Sequence, residues 1–194
     1  TGEVKRLAKK ANENITHLIV SSECTAKWYK SAFGVDDEKI FPIGLPRTDL
    51  MLDDSKRQKM QERFFEQYPD LRGKKITLYA PTFRDSQVEN PEICLDFDSL
   101  NQCMEENEVL LIRLHPHVAE HCPVGIWDMY PDKIRNVSDY PGVATLLSVA
   151  DQLITDYSSI IYEYCLLERK MIFYAYDYEV FQKDGRNFYE DYEI

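Results

Sequence analysis

Residues 153–164 read LITDYSSIIYEY: an apolar run that stops at Asp156, turns through Tyr157 and resumes on two consecutive serines. A short apolar segment closing on an acid and hydroxyls fits a buried strand that hands over to a helix. The same hand-over recurs in both directions. Strand-like runs occur at HLIVSS (17–22), KIFPIG (39–44), KITLYAP (75–81), VLLIRLHP (109–116), KIRNVSD (133–139), DQLITD (151–156) and KMIFYA (170–175). Helical-period segments lie between most of them: ECTAKWYKSAF (23–33) after Ser21 and Ser22, SKRQKMQERFFEQY (55–68) after Asp53 and Asp54, DFDSLNQCMEEN (96–107), and PGVATLLSVA (141–150). Serine and aspartate at such starts are N-cap residues, and Pro suits a first helical turn. Strands alternating with helices predict an α/β fold, a Rossmann-like and mostly parallel sheet with helices on both faces.

A chain of 194 residues can bury one core unaided, and 1–194 is read as a single domain with residues 1–15 as a leading helix or linker. No stretch of about 18 uninterrupted apolar residues is present to cross a bilayer. The five cysteines are odd in number, scattered and without a C-x-x-C pair, which disfavours a disulfide framework or zinc site and favours a reducing cytosol. A net charge of −11 argues against nucleic acid as a partner, so an anionic ligand has to be held locally. Lys5, Arg6, Lys9 and Lys10 crowd the leading helix, but with no Trp or Phe beside them they read as a solvated face.

Parallel sheets bind ligands at the carboxyl ends of their strands. Here those ends are GLPRTD, APTFRD, RLHPH and TDYSS, which would bring Arg47, Arg84, His115, Ser158 and Ser159 to one sheet edge. Free N–H groups at a helix start, with hydroxyls added by Ser158 and Ser159, suit a diphosphate. The plainer alternative is an N-cap at Ser159, although the Glu or Gln of a capping box is absent at position 162. Counting ~100° per residue, the apolar stripe of this helix runs through Leu167, Ile160, Tyr164, Ile161 and Cys165, with Glu163 on its border. Glu163 then either accepts from a ribose or is a flank charge. His115, before Pro116, is biased to extended backbone and suits a donor to a leaving diphosphate, against a plain strand-end histidine.

Arg47 and Arg84 follow Pro-stiffened turns, and a guanidinium fork suits phosphate; salt bridges to acids such as Asp49 and Asp85 are the alternative. Thr82, in the Arg84 turn, is counted with the substrate contacts. Asp156 either orients the serines or His115 or simply ends the strand. Glycine-rich phosphate loops and a G-x-S-x-G elbow are missing, and Asp96-Phe97-Asp98 sits where helix-start acids are common. The residues require no metal and no cofactor.

Taken in order, GLPRTD (44–49), YAPTFR (79–84), LIRLHP (111–116), VSDYPGVATLLSVADQLITDYSSIIYEY (137–164), KMIFYAYD (170–177) and GRNFYEDYE (185–193) resemble the CDP-glycerol glycerophosphotransferases of teichoic-acid synthesis. The resemblance covers nearly the whole chain. It implies the C-terminal half of a two-domain GT-B fold that holds CDP-glycerol. It further implies that Ser158 and Ser159 bind the donor diphosphate, that His115 and Arg113 lie near it with His115 as the catalytic group, and that Arg84 helps neutralise phosphate. The family usually has F-D where this chain has Tyr162-Glu163, which leaves the carboxylate but changes its reach.

A histidine motif that the family carries in its N-terminal domain is not found before THLIVSS. The chain is therefore expected to be an excised donor-binding half, whose missing N-terminal domain is a partner and which binds without turnover alone. The implied acceptor is a lipid-linked glycerol phosphate or sugar, met on the inner face of the cell membrane by the full-length protein. Two other functions fit the same residues: a GT-B glycosyltransferase domain using a UDP-sugar, and a non-catalytic binding module.

Overall fold

The structure is a computed structural model and describes residues 2–84, 93–119, 121 and 129–183. The 185–193 block, Cys122 and Asp85 lie outside the described residues, as does the side chain of His117. Two compact units make up the chain, Thr1–Leu50 and Met51–Ile194.

The first unit holds helix α1 (Gly2–Ala11), strand β1 (Leu18–Ile19), helix α2 (Glu23–Phe33) and strand β2 (Ile40–Phe41). The two strands pair in parallel, Leu18 opposite Ile40. Ser22 caps α2 by accepting from the Thr25 N–H, and the helix stops at Gly34, whose φ of 64° is a left-handed cap that glycine adopts without strain. The strand runs at 17–22 and 39–44 thus pair with each other, in a sheet of their own.

Helix α3 (Asp49–Leu52) spans the division, and in the second unit α4 (Asp54–Gln67) leads into β3 (Lys75–Tyr79), followed by α5 (Phe97–Cys103), β4 (Glu108–Ile112), α6 (Pro116–Ala119) and β5 (Ile134–Asn136). The chain then runs through α7 (Val143–Val149), β6 (Gln152–Thr155), α8 (Ile161–Tyr164), β7 (Lys170–Phe173) and α9 (Tyr178–Lys183). Five parallel strands lie in the order β5-β4-β3-β6-β7. From the central β3 the chain moves outward to β5, then returns to the other side of β3 for β6 and β7.

Period-two geometry sends alternate strand residues to opposite faces. Tyr79, Leu110, Ile112 and Ile154 cluster on one face with Phe97, Leu100 and Met104 of α5 and its flank. Leu78, Leu111 and Leu153 therefore point to the other face, where α7 packs on β3 and α4 packs on α7; all three leucines are fully buried, as are Phe64 of α4 and Leu146 and Leu147 of α7. Burial on both faces explains why these strands read as nearly continuous apolar runs. Capping agrees with the sequence, since Asp53 accepts from the Lys56 N–H and starts α4, and Asp96 accepts from the Ser99 N–H and starts α5. Asp96 thus serves as a helix cap, the ordinary role of an acid at that position.

Candidate functional site

The strand order reverses between β3 and β6, and open parallel sheets bind ligands at such a switch point. Both strand exits are tied together there. The Ala80 N–H donates to the Ile154 carbonyl at 3.0 Å, and the buried Thr155 hydroxyl donates to the Ala80 carbonyl at 2.7 Å. Beyond these, Asp156 Oδ1 accepts from the N–H of Thr82 at 2.7 Å and of Tyr157 at 2.6 Å. Its Oδ2 accepts from Arg84 Nη2 at 2.9 Å. Asp156 is 2% exposed and Arg84 10%, so this ion pair has little water to screen it.

Arg84 continues the network. Its Nε donates to Asp177 Oδ2 at 2.7 Å and its Nη2 to Asp177 Oδ1 at 2.9 Å, a two-pronged contact, while Nη1 donates to the Thr82 carbonyl at 2.5 Å. The guanidinium also lies over the rings of Phe181, Tyr157 and Tyr176 at 4.8, 5.2 and 5.8 Å. Tyr157 stacks on Phe181 with centroids 4.1 Å apart and donates its hydroxyl to Asp177 Oδ1 at 3.2 Å. Burial favours neutral forms here, yet the bonds and charges of Asp177 and Asp156 outweigh it and raise the Arg84 pKa. Burial likewise pushes Asp177 up, but bonding and charge from Arg84, with the Tyr157 hydroxyl, hold its carboxyl below the ordinary value. The Tyr157 phenol is pushed up by burial and by the Asp177 charge. Of the alternatives for Arg84, the salt bridge is the one observed, with Asp156 and Asp177 as its acids.

Ser158 and Ser159 follow directly. Ser158 is half-buried and Ser159 exposed. Their carbonyls accept from the N–H groups of Ile161 at 3.4 Å and Tyr162 at 3.2 Å, and Ser158 Oγ accepts a long bond from the Ile160 N–H at 3.5 Å. Among the described residues, neither the Ser158 nor the Ser159 backbone N–H has a hydrogen-bond acceptor. The serines do not cap a regular helix: α8 has four residues, Ile160 stands at its N-cap without a side-chain cap bond, and Cys165–Leu167 tightens into a 3-10 turn. A diphosphate contact there would come from a turn's N–H and hydroxyl groups, because a four-residue helix carries little macrodipole. Cys165, placed on the apolar stripe by helical counting, is exposed, since the tighter turn rotates it outward; Tyr162 is exposed as counted. Glu163 is buried, which excludes an ordinary flank charge.

At the exit of β4, the Arg113 N–H donates to the Tyr79 carbonyl at 2.9 Å and Arg113 Nη1 to the Tyr140 carbonyl at 2.7 Å. Burial lowers the Arg113 pKa. His115 is exposed, with its ring centroid 4.4 Å from that of Phe83 in the β3 exit. The Leu114 N–H beside it donates to Ser138 Oγ at 3.0 Å, which fixes the strand end. Tyr79, Thr82, Phe83, Leu114 and His115 line a shared recess of about 30 Å³. Thr82 Oγ1 is buried without a hydrogen-bond partner among the described residues, a costly arrangement for a hydroxyl.

Thr82, Arg84 and Asp156 are thus bonded into one unit, with Ser158 and Ser159 close behind in the chain and His115 tilted against Phe83. Arg47 lies in the Pro46–Thr48 turn after β2, a strand that pairs with β1 in the two-stranded sheet and is not a member of the five-stranded one. Asp177 and Phe181 were missed by the sequence reading. Asp177 ends KMIFYAYD, so it too follows a strand, but its partner Arg84 is 93 residues away. Among the described residues, no group of three or more His, Cys, Asp or Glu side chains could hold a metal ion.

Known proteins resemble this chain over nearly its whole length. Residues 2–194 match the family model described as CDP-Glycerol:Poly(glycerophosphate) glycerophosphotransferase. The teichoic acid poly(ribitol-phosphate) polymerase of Bacillus spizizenii is 39% identical over 186 residues, covering 94% of this chain and 30% of the relative. The teichoic acid glycerol-phosphate primase of Bacillus subtilis is 33% identical over 181 residues, covering 93% and 45%. The solved wall teichoic acid polymerase TagF superposes with a TM-score of 0.82 at 30% identity, covering 99% of this chain and 47% of that one. A histidine variant of TagF soaked with CDPG superposes at 0.84, with 30% identity, 98% of this chain covered and 46% of the other. The chain spans less than half the length of these relatives. The parallel α/β sheet expected for one half of a GT-B-type enzyme is the fold observed, and the chain belongs to the CDP-glycerol:poly(glycerophosphate) glycerophosphotransferase family.

Proposed function

We propose that this chain holds the CDP-glycerol donor for a transferase that moves glycerol phosphate to a teichoic-acid-type acceptor. The observation that carries the reading is the turn at Ser158 and Ser159. It leaves the switch point with two N–H groups lacking acceptors among the described residues, two hydroxyls, and a backbone entry fixed by Asp156. Such a turn suits the non-bridging oxygens of a diphosphate. His115, exposed at the neighbouring exit, and Arg113 supply donors on the side of β4. Thr82 offers its unsatisfied hydroxyl from β3. The buried carboxylate of Glu163 suits a ribose hydroxyl.

In the reaction an acceptor oxygen attacks the β-phosphorus and CMP departs. His115 would donate to the diphosphate as charge builds on the leaving oxygen, and the serine turn would hold the phosphates in line. The general base, the acceptor and a place on the inner face of the membrane come from the family resemblance. No helix among the described residues is long and apolar enough to cross a membrane.

A second reading keeps the site and changes the cargo: several relatives are named for ribitol phosphate, including the 39% identical polymerase. Calorimetric titration with CDP-glycerol, CDP-ribitol, UDP-glucose and CMP separates these readings. Preference for CDP-glycerol supports the first, and preference for UDP-glucose overturns both.

A further inference from the structure

Resting on the donor-site reading, we infer that Arg84 is a positioning residue: clamped between Asp156 and Asp177, it ties α9 to the serine turn and holds that turn in its phosphate-binding shape. The sequence offered Arg84 as a phosphate contact. In the structure its Nε, Nη1 and Nη2 all donate to protein groups, namely Asp177, the Thr82 carbonyl and Asp156. Those bonds commit the guanidinium to two carboxylates and a carbonyl of the protein itself.

Its reach is what the site uses. Asp156 bonds the N–H groups of Thr82 and Tyr157, so its orientation sets both the β3 exit and the residue immediately before Ser158. Arg84 holds the second oxygen of that carboxylate and, through two nitrogens, both oxygens of Asp177 at the entry to α9. Phe181, one turn into α9, stacks on Tyr157 at 4.1 Å and lies under the guanidinium at 4.8 Å. The turn is therefore gripped from two sides, by a carboxylate beneath Tyr157 and by an aromatic ring across it. A planar fork makes this possible, and an ammonium cannot reproduce it.

The test uses Asp177→Asn and Arg84→Lys in the intact protein. Asp177 is not among the residues proposed to meet the donor, and its substitution leaves Arg84 its buried partner Asp156. Arg84→Lys keeps the charge and loses the fork. Two readouts are taken: amide hydrogen exchange at Tyr157, the N–H of the turn that Asp156 accepts, and affinity for CDP-glycerol against affinity for CMP. Both variants should speed exchange in the turn about tenfold and cut the preference for CDP-glycerol over CMP about tenfold, the scale of a misplaced binding group. Unchanged exchange, or equal loss for both ligands, would overturn the inference, since equal loss marks general loosening. Failure of the unsubstituted protein to bind CDP-glycerol would instead sink the donor reading, and the exchange rates would still decide whether Asp177 holds the turn.

Discussion

Asp156 and Thr82, 74 residues apart in sequence, meet in a 2.7 Å hydrogen bond from the Thr82 N–H to the Asp156 carboxylate. Through it the exits of β3 and β6 become one surface. Because Asp156 also pairs with Arg84 in a nearly dry environment, removing it leaves a buried cation short of one partner. Asp156→Ala should cost about 3 kcal/mol of stability, near the low end for a broken buried pair because Asp177 remains. Denaturant unfolding measures this, and a loss below about 1 kcal/mol would show that the pair is not holding the loops.

Asp177 gives the fold a sensitivity to acid. Its folded pKa lies below the ordinary value of 3.8. Its stabilising contribution is therefore complete above that ordinary value and is lost as pH falls through the lower folded one. Other carboxylates with lowered pKa values titrate in the same range, so the informative quantity is the difference between parent and variant. The stability gap between the parent and Asp177→Asn should be open at about pH 5 and narrow towards about pH 2. A gap constant across that range would contradict the assignment.

Ser158 and Ser159 contribute little to the fold, since the bond that Ser158 Oγ accepts is long and Ser159 is exposed. Replacing both with Ala should change stability by no more than about 0.5 kcal/mol. The same change should weaken CDP-glycerol binding about tenfold or more, the worth of one or two hydrogen bonds to a charged group. Calorimetry beside thermal melts would show the two effects apart.

Thr82→Val separates ligand binding from folding in the opposite sense. The hydroxyl is buried without a partner among the described residues, so an isosteric methyl should leave stability unchanged or raise it by up to about 1 kcal/mol. Donor affinity should fall if that hydroxyl meets the ligand. Destabilisation by Thr82→Val would mean the hydroxyl has a partner in solution, such as a bound water.

The fold was legible because its strands are buried on both faces and its helices announce their starts. VLLIRLHP covers all of β4 but Glu108, DQLITD contains β6, and Ser22, Asp53 and Asp96 cap the helices their positions suggest. The site was legible as far as the strand ends go. Periodicity cannot show which acid a cation will meet, so Asp177 went unseen while the more local Asp85 was considered. Nor can a helical wheel anticipate a segment that switches to a 3-10 turn after four residues, which put Cys165 on the wrong side. Arg47 follows a strand of the smaller sheet, because two-residue strands look, in sequence, like the beginnings of longer ones and read as members of the main sheet.

The central claim is that the switch-point turn at Ser158 and Ser159 grips a cytidine diphosphate donor. Isothermal titration of the intact protein with CDP-glycerol, with and without the double Ala substitution, tests it most directly. Saturable binding that weakens about tenfold in the substituted protein is the predicted result. Binding of equal strength in both proteins, or none in the parent, would contradict it.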